Sequence, residues 1–253
     1  MSKLKSKIII TITLLAVLIL ESFILSNNET IETMNTISEL PIYAVDKEEK
    51  IASITFDVNW AENEYLYSIL DILDKYNVKA TFFVMGAWIN QSDENVEKLK
   101  TLVERGHEIG NHSYLHPSFT KISEYKIKEE LKKTNDIIEK YTGIKVKLFR
   151  FPSGDYNSES VKIVENEGYI PIQWNCDSID WREEGAEIEY SRIKESFKPG
   201  SILLFHNNAK YTPENLDKII KEFQDQGYKF VPVGELIYKN EYIIEKDGTQ
   251  FKK

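Results

Sequence analysis

Residues Ile51–Val84, IASITFDVNWAENEYLYSILDILDKYNVKATFFV, contain the pattern that decides the fold. A short apolar run at Ile51–Phe56 is followed by a segment of helical period at about 64–76 and by a second apolar run at Ala80–Val84. Short apolar runs are typical of buried strands, and two of them joined by a helix predict a parallel β-α-β unit. The segment therefore indicates an α/β protein.

The same alternation of strands and helices continues to about residue 238. Further strands are predicted at Glu108–Asn111, Leu148–Phe149, Tyr169–Trp174, Ser201–Phe205 and Phe230–Val233, and helices at about 93–105, 123–140, 158–167, 188–196 and 214–226. No stretch between these elements has the composition of a linker, so residues 50–238 are predicted to form a single domain. The polar residues 239–253 are expected to form an edge strand or a C-terminal tail.

Composition excludes several classes of protein. Hydrophobic residues make up 42% of the 253-residue chain, which excludes a disordered protein. The net charge of -9 disfavours general binding to nucleic acid, because the phosphate backbone attracts basic surfaces. Cys176 is the single cysteine, so the chain can form neither an intramolecular disulfide nor a cysteine-clustered zinc site.

The amino terminus has the pattern of an export signal. Lys3, Lys5 and Lys7 precede an uncharged, mainly apolar run at Ile8–Leu20. We expect residues 1–26 to be an uncleaved membrane anchor, with a cleaved signal peptide as the alternative. Since lysines flanking such a segment stay in the cytoplasm, the polar spacer at 27–49 and the rest of the chain are predicted to be extracytoplasmic.

Chemically capable side chains follow several of the predicted strands. In chain order they are Asp57, His112 and His116, Arg150, Asp177 and Asp180, and His206. The carboxyl ends of the strands in a parallel barrel open on one face, and that face carries the active site. These side chains are therefore predicted to meet at one site.

The spacing of two histidines suits a metal ion. His112 and His116 are four residues apart, a separation that places two imidazoles on one face of a helical turn, although such pairs also occur outside metal sites. His107 begins the third strand and is interpreted as structural.

Two further pairs of polar residues are candidates for the site, Asp57 with Arg150 and Asp180 with His206. Asp57 would meet Arg150, whose guanidinium binds carboxylates in a fixed geometry, or it would cap the next loop. Asp180 beside His206 would favour the protonated imidazole, which suits a general acid, whereas a histidine at a strand end can also be purely structural.

Five motifs in order give the chain a family resemblance. It resembles the polysaccharide deacetylases with the NodB homology domain, carbohydrate esterase family 4, over about Ile51 to Leu236. The motifs are Thr55-Phe56-Asp57, His112-Ser113-Tyr114-Leu115-His116-Pro117, Arg150-Phe151-Pro152-Ser153-Gly154, Asp177-Ser178-Ile179-Asp180-Trp181 and Leu204-Phe205-His206. The resemblance implies a distorted TIM-like (β/α)7 barrel with an open groove for polysaccharide.

The resemblance also implies a role for each motif residue. Asp57 would be the general base, His206 the general acid, and His112 and His116 the ligands of a divalent metal ion, with zinc expected. The other roles concern orientation and binding: Arg150 would tether Asp57, Asp180 would tune His206, Ser153 would supply an oxyanion-binding N–H, and Trp181 and Leu204 would line the acetyl pocket.

One motif departs from the family pattern. Most members continue the first motif as Asp-Asp-Gly-Pro, and the second Asp is the third metal ligand, but here Val58 follows Asp57. The chain is similar in this respect to sporulation-type and muramic-acid peptidoglycan deacetylases. Asn59, Glu62, Glu64 or a water molecule would have to supply the missing ligand.

The sequence therefore predicts a hydrolase acting on carbon–nitrogen bonds. The expected activity is metal-dependent N-deacetylation of amino sugars in a cell-wall polysaccharide, with peptidoglycan the expected substrate. The alternatives are a glycan-binding module of the same fold that has lost catalysis, and an O-acetyl esterase acting on another polysaccharide. The expected partners are the polysaccharide and, through the amino-terminal helix, the membrane; no nucleic acid and no obligatory protein partner are expected.

Overall fold

The strand that precedes Asp57 lies at the centre of the fold. In the computed structural model, which describes residues 39–253, this strand is β2, Ile51–Val58. Alternate side chains of a strand point to opposite faces. Phe56 and Val58 accordingly belong to the main hydrophobic cluster, whereas Thr55 and Asp57 both accept hydrogen bonds from Arg150.

The described residues form eleven strands and eight α-helices. The strands are β1 Ala44–Val45, β2 Ile51–Val58, β3 Thr81–Val84, β4 Glu108–Asn111, β5 Leu148–Phe149, β6 Ile170–Pro171, β7 Cys176–Asp177, β8 Ile202–His206, β9 Lys229–Phe230, β10 Tyr242–Ile244 and β11 Thr249–Lys252. The helices are α1 Leu66–Lys75, α2 Gly86–Ile89, α3 Asp93–Glu104, α4 Glu124–Thr142, α5 Ser158–Asn166, α6 Ala186–Ser196, α7 Thr212–Asp225 and α8 Val233–Leu236.

Seven strands form one curled parallel sheet, in the order β6-β5-β4-β3-β2-β8-β7, and β9 pairs with the start of β2. The helices cover the outside of this sheet, so the architecture is the distorted (β/α)7 barrel that the sequence predicted. Parallel pairing brings the carboxyl ends of the strands to one edge. In the register of β2 with β8, Asp57 is directly opposite His206.

Local sequence signals account for the helix limits. Ser92 and Ser123 accept hydrogen bonds from the backbone N–H groups of Asn95 and Lys126, and thereby cap the first turns of α3 and α4. Gly143 ends α4 in the left-handed conformation, which glycine adopts without strain. Buried leucines and isoleucines on one side of α1 and α7 pack against the sheet.

Two predicted strands are shorter than expected. The strand predicted at Tyr169–Trp174 is limited to Ile170–Pro171, although Ile172 still donates to the carbonyl of Phe149. The strand predicted at Phe230–Val233 ends at Phe230, and Pro232 is the N-cap of α8. Pro232 donates no backbone hydrogen bond, which disfavours continued pairing of this second strand.

A small second sheet joins the two ends of the described chain. Its order is β1-β11-β10, with β1 parallel to β11. β1 comes from the segment predicted as a spacer, where Ile42 and Val45 are buried, and β10 and β11 come from the segment predicted as an edge strand or tail.

The predicted anchor, residues 1–26, lies outside the described residues. Across residues 39–253, none of the helices combines the length and the apolar character needed to span a bilayer.

Candidate active site

Asp57 and Arg150 form a buried ion pair at the end of β2. The Arg150 Nη1 donates to Asp57 Oδ1 at 2.9 Å and to the Thr55 hydroxyl at 2.8 Å. Its Nη2 donates to the carbonyl of Gln173, and its guanidinium lies over the ring of Phe83 at 4.1 Å. Both partners are buried. These contacts together fix the plane of the guanidinium, so Arg150 holds Asp57 in one orientation.

Asp57 is ionised in this environment. Burial favours the neutral carboxyl, but interactions with His112, Arg150 and His206 lower the pKa of Asp57 below its usual range. A buried carboxylate with one free oxygen can accept a proton from a bound water. The geometry therefore suits the general base that the sequence predicted.

His112 and His116 meet at the carboxyl end of β4. Their rings are 4.9 Å apart and edge to face. His112 is fully buried, and its Nδ1 lies 3.0 Å from the carbonyl of Arg150. A carbonyl only accepts hydrogen bonds, so Nδ1 carries the proton and Nε2 presents a lone pair. Burial lowers the pKa of His112 to about 4 and also lowers the pKa of His116, which keeps both rings neutral.

The loop that carries the two histidines is held by side chains from other elements. Ser113 and His116 adopt positive φ values of 62° and 59°. The side chain of Asn111 accepts from the N–H of Ser113, and the buried carboxylate of Glu130 on α4 accepts from the N–H groups of Tyr114 at 2.8 Å and Leu115 at 2.7 Å. These bonds stabilise a backbone conformation that is unfavourable for non-glycine residues.

The residues fit two positions of a metal site. His112 Nε2 is buried without a hydrogen-bond partner and lies 3.4 Å from Asp57 Oδ2. A lone pair and a carboxylate oxygen do not attract each other, and a cation bound by His112 and His116 would satisfy the buried lone pair. A full protein ligand set is absent from residues 39–253, where no three His, Cys, Asp or Glu side chains are arranged to hold an ion.

The structure limits the candidates for a third ligand. Val58 is buried in the main hydrophobic cluster. Glu64 receives a hydrogen bond from Asn207 at 2.6 Å and pairs with Lys98 at 2.5 Å, so its carboxylate is already engaged. Glu62 lines a separate cavity of about 600 Å³ between the loop after β2 and α3. Asn59 has a buried side-chain oxygen without a partner, and its backbone is held by the side chain of Asn207.

His206 and Asp180 form a second pair beside Asp57. The His206 Nδ1 is 2.7 Å from Asp180 Oδ1, and the backbone N–H of His206 donates to Asp180 Oδ2 at 2.8 Å. Thr212, the first residue of α7, donates its hydroxyl to the same Oδ2. Burial opposes a charged imidazole, but the hydrogen bond and charge of Asp180, with smaller effects of Asp57 and Asp177, raise the pKa of His206 above its usual value. His206 is therefore suited to donate a proton.

The other residues predicted for the site differ in backbone conformation, exposure and hydrogen bonding. Ser153 has a left-handed backbone with φ of 55° in a short 3₁₀ turn. Leu204 is buried in β8, whereas Trp181 is 59% exposed. Asp177 accepts a hydrogen bond from the Trp174 indole. His107 lies at the opposite end of β4, where its Nδ1 accepts from the N–H of Ala80, a structural contact.

Sequence reasoning missed three of the residues that support the site, and it placed a fourth, Thr55, in the first motif without assigning it a role. Thr55, Glu130, Asn207 and Thr212 all bond to site residues or their loops. Glu130 is one acidic residue among several on a charged helix, and Thr212 begins a helix far along the chain. Among the missed residues, Asn207 could have been recognised from its position, because it directly follows His206.

The comparisons with known proteins identify the family. Residues 44–172 match the family model described as polysaccharide deacetylase. The chain is 36% identical over 197 residues to YlxY of Bacillus subtilis (strain 168), covering 78% of this chain and 60% of that protein. It is 32% identical over 203 residues to the peptidoglycan-N-acetylmuramic acid deacetylase PdaA of the same organism, covering 79% of this chain and 76% of PdaA.

A solved structure of a related pseudoenzyme is also similar. The wild-type carbohydrate esterase family 4 pseudoenzyme of Bacillus anthracis superposes with a TM-score of 0.74 at 36% identity, covering 85% of this chain and 74% of that one. A mutant of that protein is described as having restored enzymatic activity. The chain belongs to the polysaccharide deacetylase family, and the predicted resemblance is confirmed. The family is one of hydrolases that act on amide bonds, which was the predicted enzyme class.

Proposed function

We propose that this protein is a metal-dependent deacetylase that removes acetyl groups from N-acetylated amino sugars of peptidoglycan. The observation that carries the proposal is the direct register of Asp57 with His206 across β2 and β8. Each of these residues has its own fixed ionic partner, Arg150 for Asp57 and Asp180 for His206. A base and an acid on adjacent strands can serve the two proton transfers of amide hydrolysis.

Asp57 performs the first proton transfer. Its pKa is lowered, so it is ionised at neutral pH and can accept a proton from water as the water attacks the acetamido carbonyl. Arg150 keeps one carboxylate oxygen occupied and leaves Oδ2 directed toward His112. Because the pair is buried, the position of the base is set before substrate binds.

His206 performs the second transfer. Asp180 raises the pKa of His206 and so favours its protonated form, which can donate the proton to the departing amine. The family resemblance suggests that the N–H at Ser153 binds the oxyanion and that Trp181 and Leu204 enclose the acetyl group.

His112 and His116 would hold the divalent ion, for which zinc is our proposal. The ion would polarise the acetamido oxygen and lower the pKa of the attacking water. The buried lone pair of His112 Nε2 supports this assignment.

Acetate release tests the proposal. The full-length protein, supplied with zinc, would be incubated with peptidoglycan, chitin oligomers and acetylated xylan. Acetate from peptidoglycan and little from xylan is the expected result. Acetate from xylan alone would identify an O-acetyl esterase, and no acetate from any substrate would overturn the enzymatic proposal.

One observation favours a second candidate. Val58 stands where most family members have a metal-ligating carboxylate, and a similar chain from Bacillus anthracis is called a pseudoenzyme. A glycan-binding module of the same fold would bind peptidoglycan without releasing acetate. Sedimentation with peptidoglycan, measured beside acetate release, separates the two functions.

An extracytoplasmic location belongs to the same proposal. It rests on the basic and apolar pattern of residues 1–26. Fractionation of cells that produce the protein is expected to place it in the membrane fraction, with the catalytic domain accessible to added protease in spheroplasts. Recovery from the cytosol would contradict the proposal.

A further inference from the structure

Glu189 is a buried acidic residue that the proposed mechanism does not use. It lies in the first turns of α6, and only 1% of the residue is exposed. Its Oε2 accepts a hydrogen bond from the side chain of Asn215 at 2.9 Å, and its Oε1 is buried without a partner. Burial of a carboxyl group with one unsatisfied oxygen is unfavourable and calls for a physical reason.

The first turn of α7 connects Glu189 with the acid of the site. Thr212 and Asn215 are three residues apart and therefore lie on the same side of this helix. Thr212 donates to Asp180, the partner of His206, and Asn215 donates to Glu189. One helical turn thus binds two buried carboxyl groups, Glu189 and Asp180, of which Asp180 contacts the imidazole of His206.

Among the described residues, few basic side chains are placed to compensate the negative charge of an ionised Glu189. Among the described groups that act on it, Asp180 in the turn after β7 and Glu183 before α6 are acidic. Arg192 on α6 is the basic group, but it already pairs with Glu184 and donates to the carbonyl of Ser178. Asp180, the acidic neighbour of Glu189, contacts the imidazole of His206 directly, so His206 is the group through which a second negative charge can be compensated.

We propose that Glu189 is a positioning residue for His206, and that its carboxylate, acting through Asp180 and the first turn of α7, favours the protonated imidazole. The catalytic meaning of this inference rests on the proposed function, since the protonated imidazole is the assigned acid. The coupling itself is a property of the folded protein and can be measured without substrate.

The sign of the coupling follows from the charges. Burial and the neighbouring Asp180 raise the pKa of Glu189 to about 7. As the pH rises through this value, Glu189 becomes negative and His206 holds its proton more strongly. Because loss of one proton opposes loss of the other, the titration of His206 extends over a wider pH range than that of an isolated imidazole.

Histidine NMR tests the coupling directly. With only four histidines in the sequence, ring-labelled histidine in the full-length protein gives few signals, and His206→Gln assigns the relevant one. In Glu189→Gln, which keeps the size and the contact with Asn215, the midpoint of His206 is expected to fall by about half a pH unit or more and its curve to sharpen. The matched control is Glu187→Gln, since Glu187 lies on the same helix but is exposed and pairs with Lys218.

The outcomes separate this inference from the proposed function. A lower midpoint in Glu189→Gln but not in Glu187→Gln supports the coupling, even if the wild type releases no acetate. An unchanged midpoint overturns it, even if acetate is released. Should Glu189→Gln fail to fold, the wild-type curve decides: a broadened titration supports the coupling, and a simple one-proton curve contradicts it.

Discussion

Asp180 sets the protonation of His206 through a single 2.7 Å hydrogen bond and a second bond to the backbone N–H. The pKa of His206 is raised above its ordinary value of 6.5, so this proposed acid keeps its proton to a higher pH than an ordinary imidazole does. Deacetylation should therefore fall on the alkaline side as His206 loses its proton. On the acidic side Asp57 remains ionised until well below its usual pKa.

Replacement of Asp180 tests this dependence. In Asp180→Asn the imidazole loses its anionic partner, and the alkaline limb of kcat should move to lower pH. The rate at neutral pH should fall by about 100-fold, within the range that general acid catalysis contributes. The measurement is a pH profile of acetate release. The control is Asp217→Asn, whose carboxylate pairs with Lys75 on the outer surface; an unchanged limb in Asp180→Asn would remove Asp180 from its assigned role.

Individual residues of the site differ in how far sequence could predict them. Asp57 and His206 lie at the carboxyl ends of their strands and His112 directly follows β4, so their convergence follows from parallel pairing alone. Glu130 and Glu189 lie on helices rich in acidic residues, and their burial depends on the packing of other elements. A sequence shows the type of a helical glutamate, but only the tertiary structure shows which one faces inward.

Helix α4 positions the histidine loop through Glu130. This buried carboxylate accepts two consecutive backbone N–H groups between His112 and His116, and its other oxygen lies 3.3 Å from Lys126. Two N–H bonds to one carboxylate oxygen fix the backbone of the loop. The positive φ of His116 depends on this support.

Glu130→Ala should therefore weaken metal binding. We expect the zinc affinity to fall by about 10- to 100-fold, as is typical when a residue that orients metal ligands is lost. Competition with a chelator measures the affinity. Glu129→Ala on the same helix removes a half-buried carboxylate that pairs with Lys126 and Lys133 and should leave the affinity unchanged. Equal affinities in both variants would show that Glu130 does not support the site.

The limits of the strands and helices show which local sequence signals determine where an element begins and ends. The strand predicted at Glu108–Asn111 has those limits in the structure, and the predicted helix at 93–105 differs from α3 by one residue. The apolar pattern predicted strands that were too long at Tyr169–Trp174 and Phe230–Val233, and at the second of these Pro232 lacks the N–H that further pairing needs. The two-residue strand Cys176–Asp177 is too short to have a pattern of its own.

At the level of the whole molecule, the sequence predicted the barrel but not the small sheet that joins the two ends of the described residues. The β-α alternation between residues 50 and 238 was sufficient for the fold class. The pairing of Ala44 with Thr249 joins segments far apart in sequence, and neither segment has a distinctive period. Long-range pairing of such short strands depends on the completed barrel, since it provides the surface on which Ile42 pairs with Ile172.

Asp57→Asn provides the most direct test of the central claim, which is that this fold holds a working deacetylase site. Asparagine keeps the size of the side chain but cannot take up the proton from water. The full-length wild type and variant would be compared for acetate released from peptidoglycan, at equal zinc content and with unfolding temperature as the check on folding. The account predicts release by the wild type and a loss of at least about 100-fold in the variant. Equal release by the two proteins, or none by the zinc-loaded wild type, would contradict it.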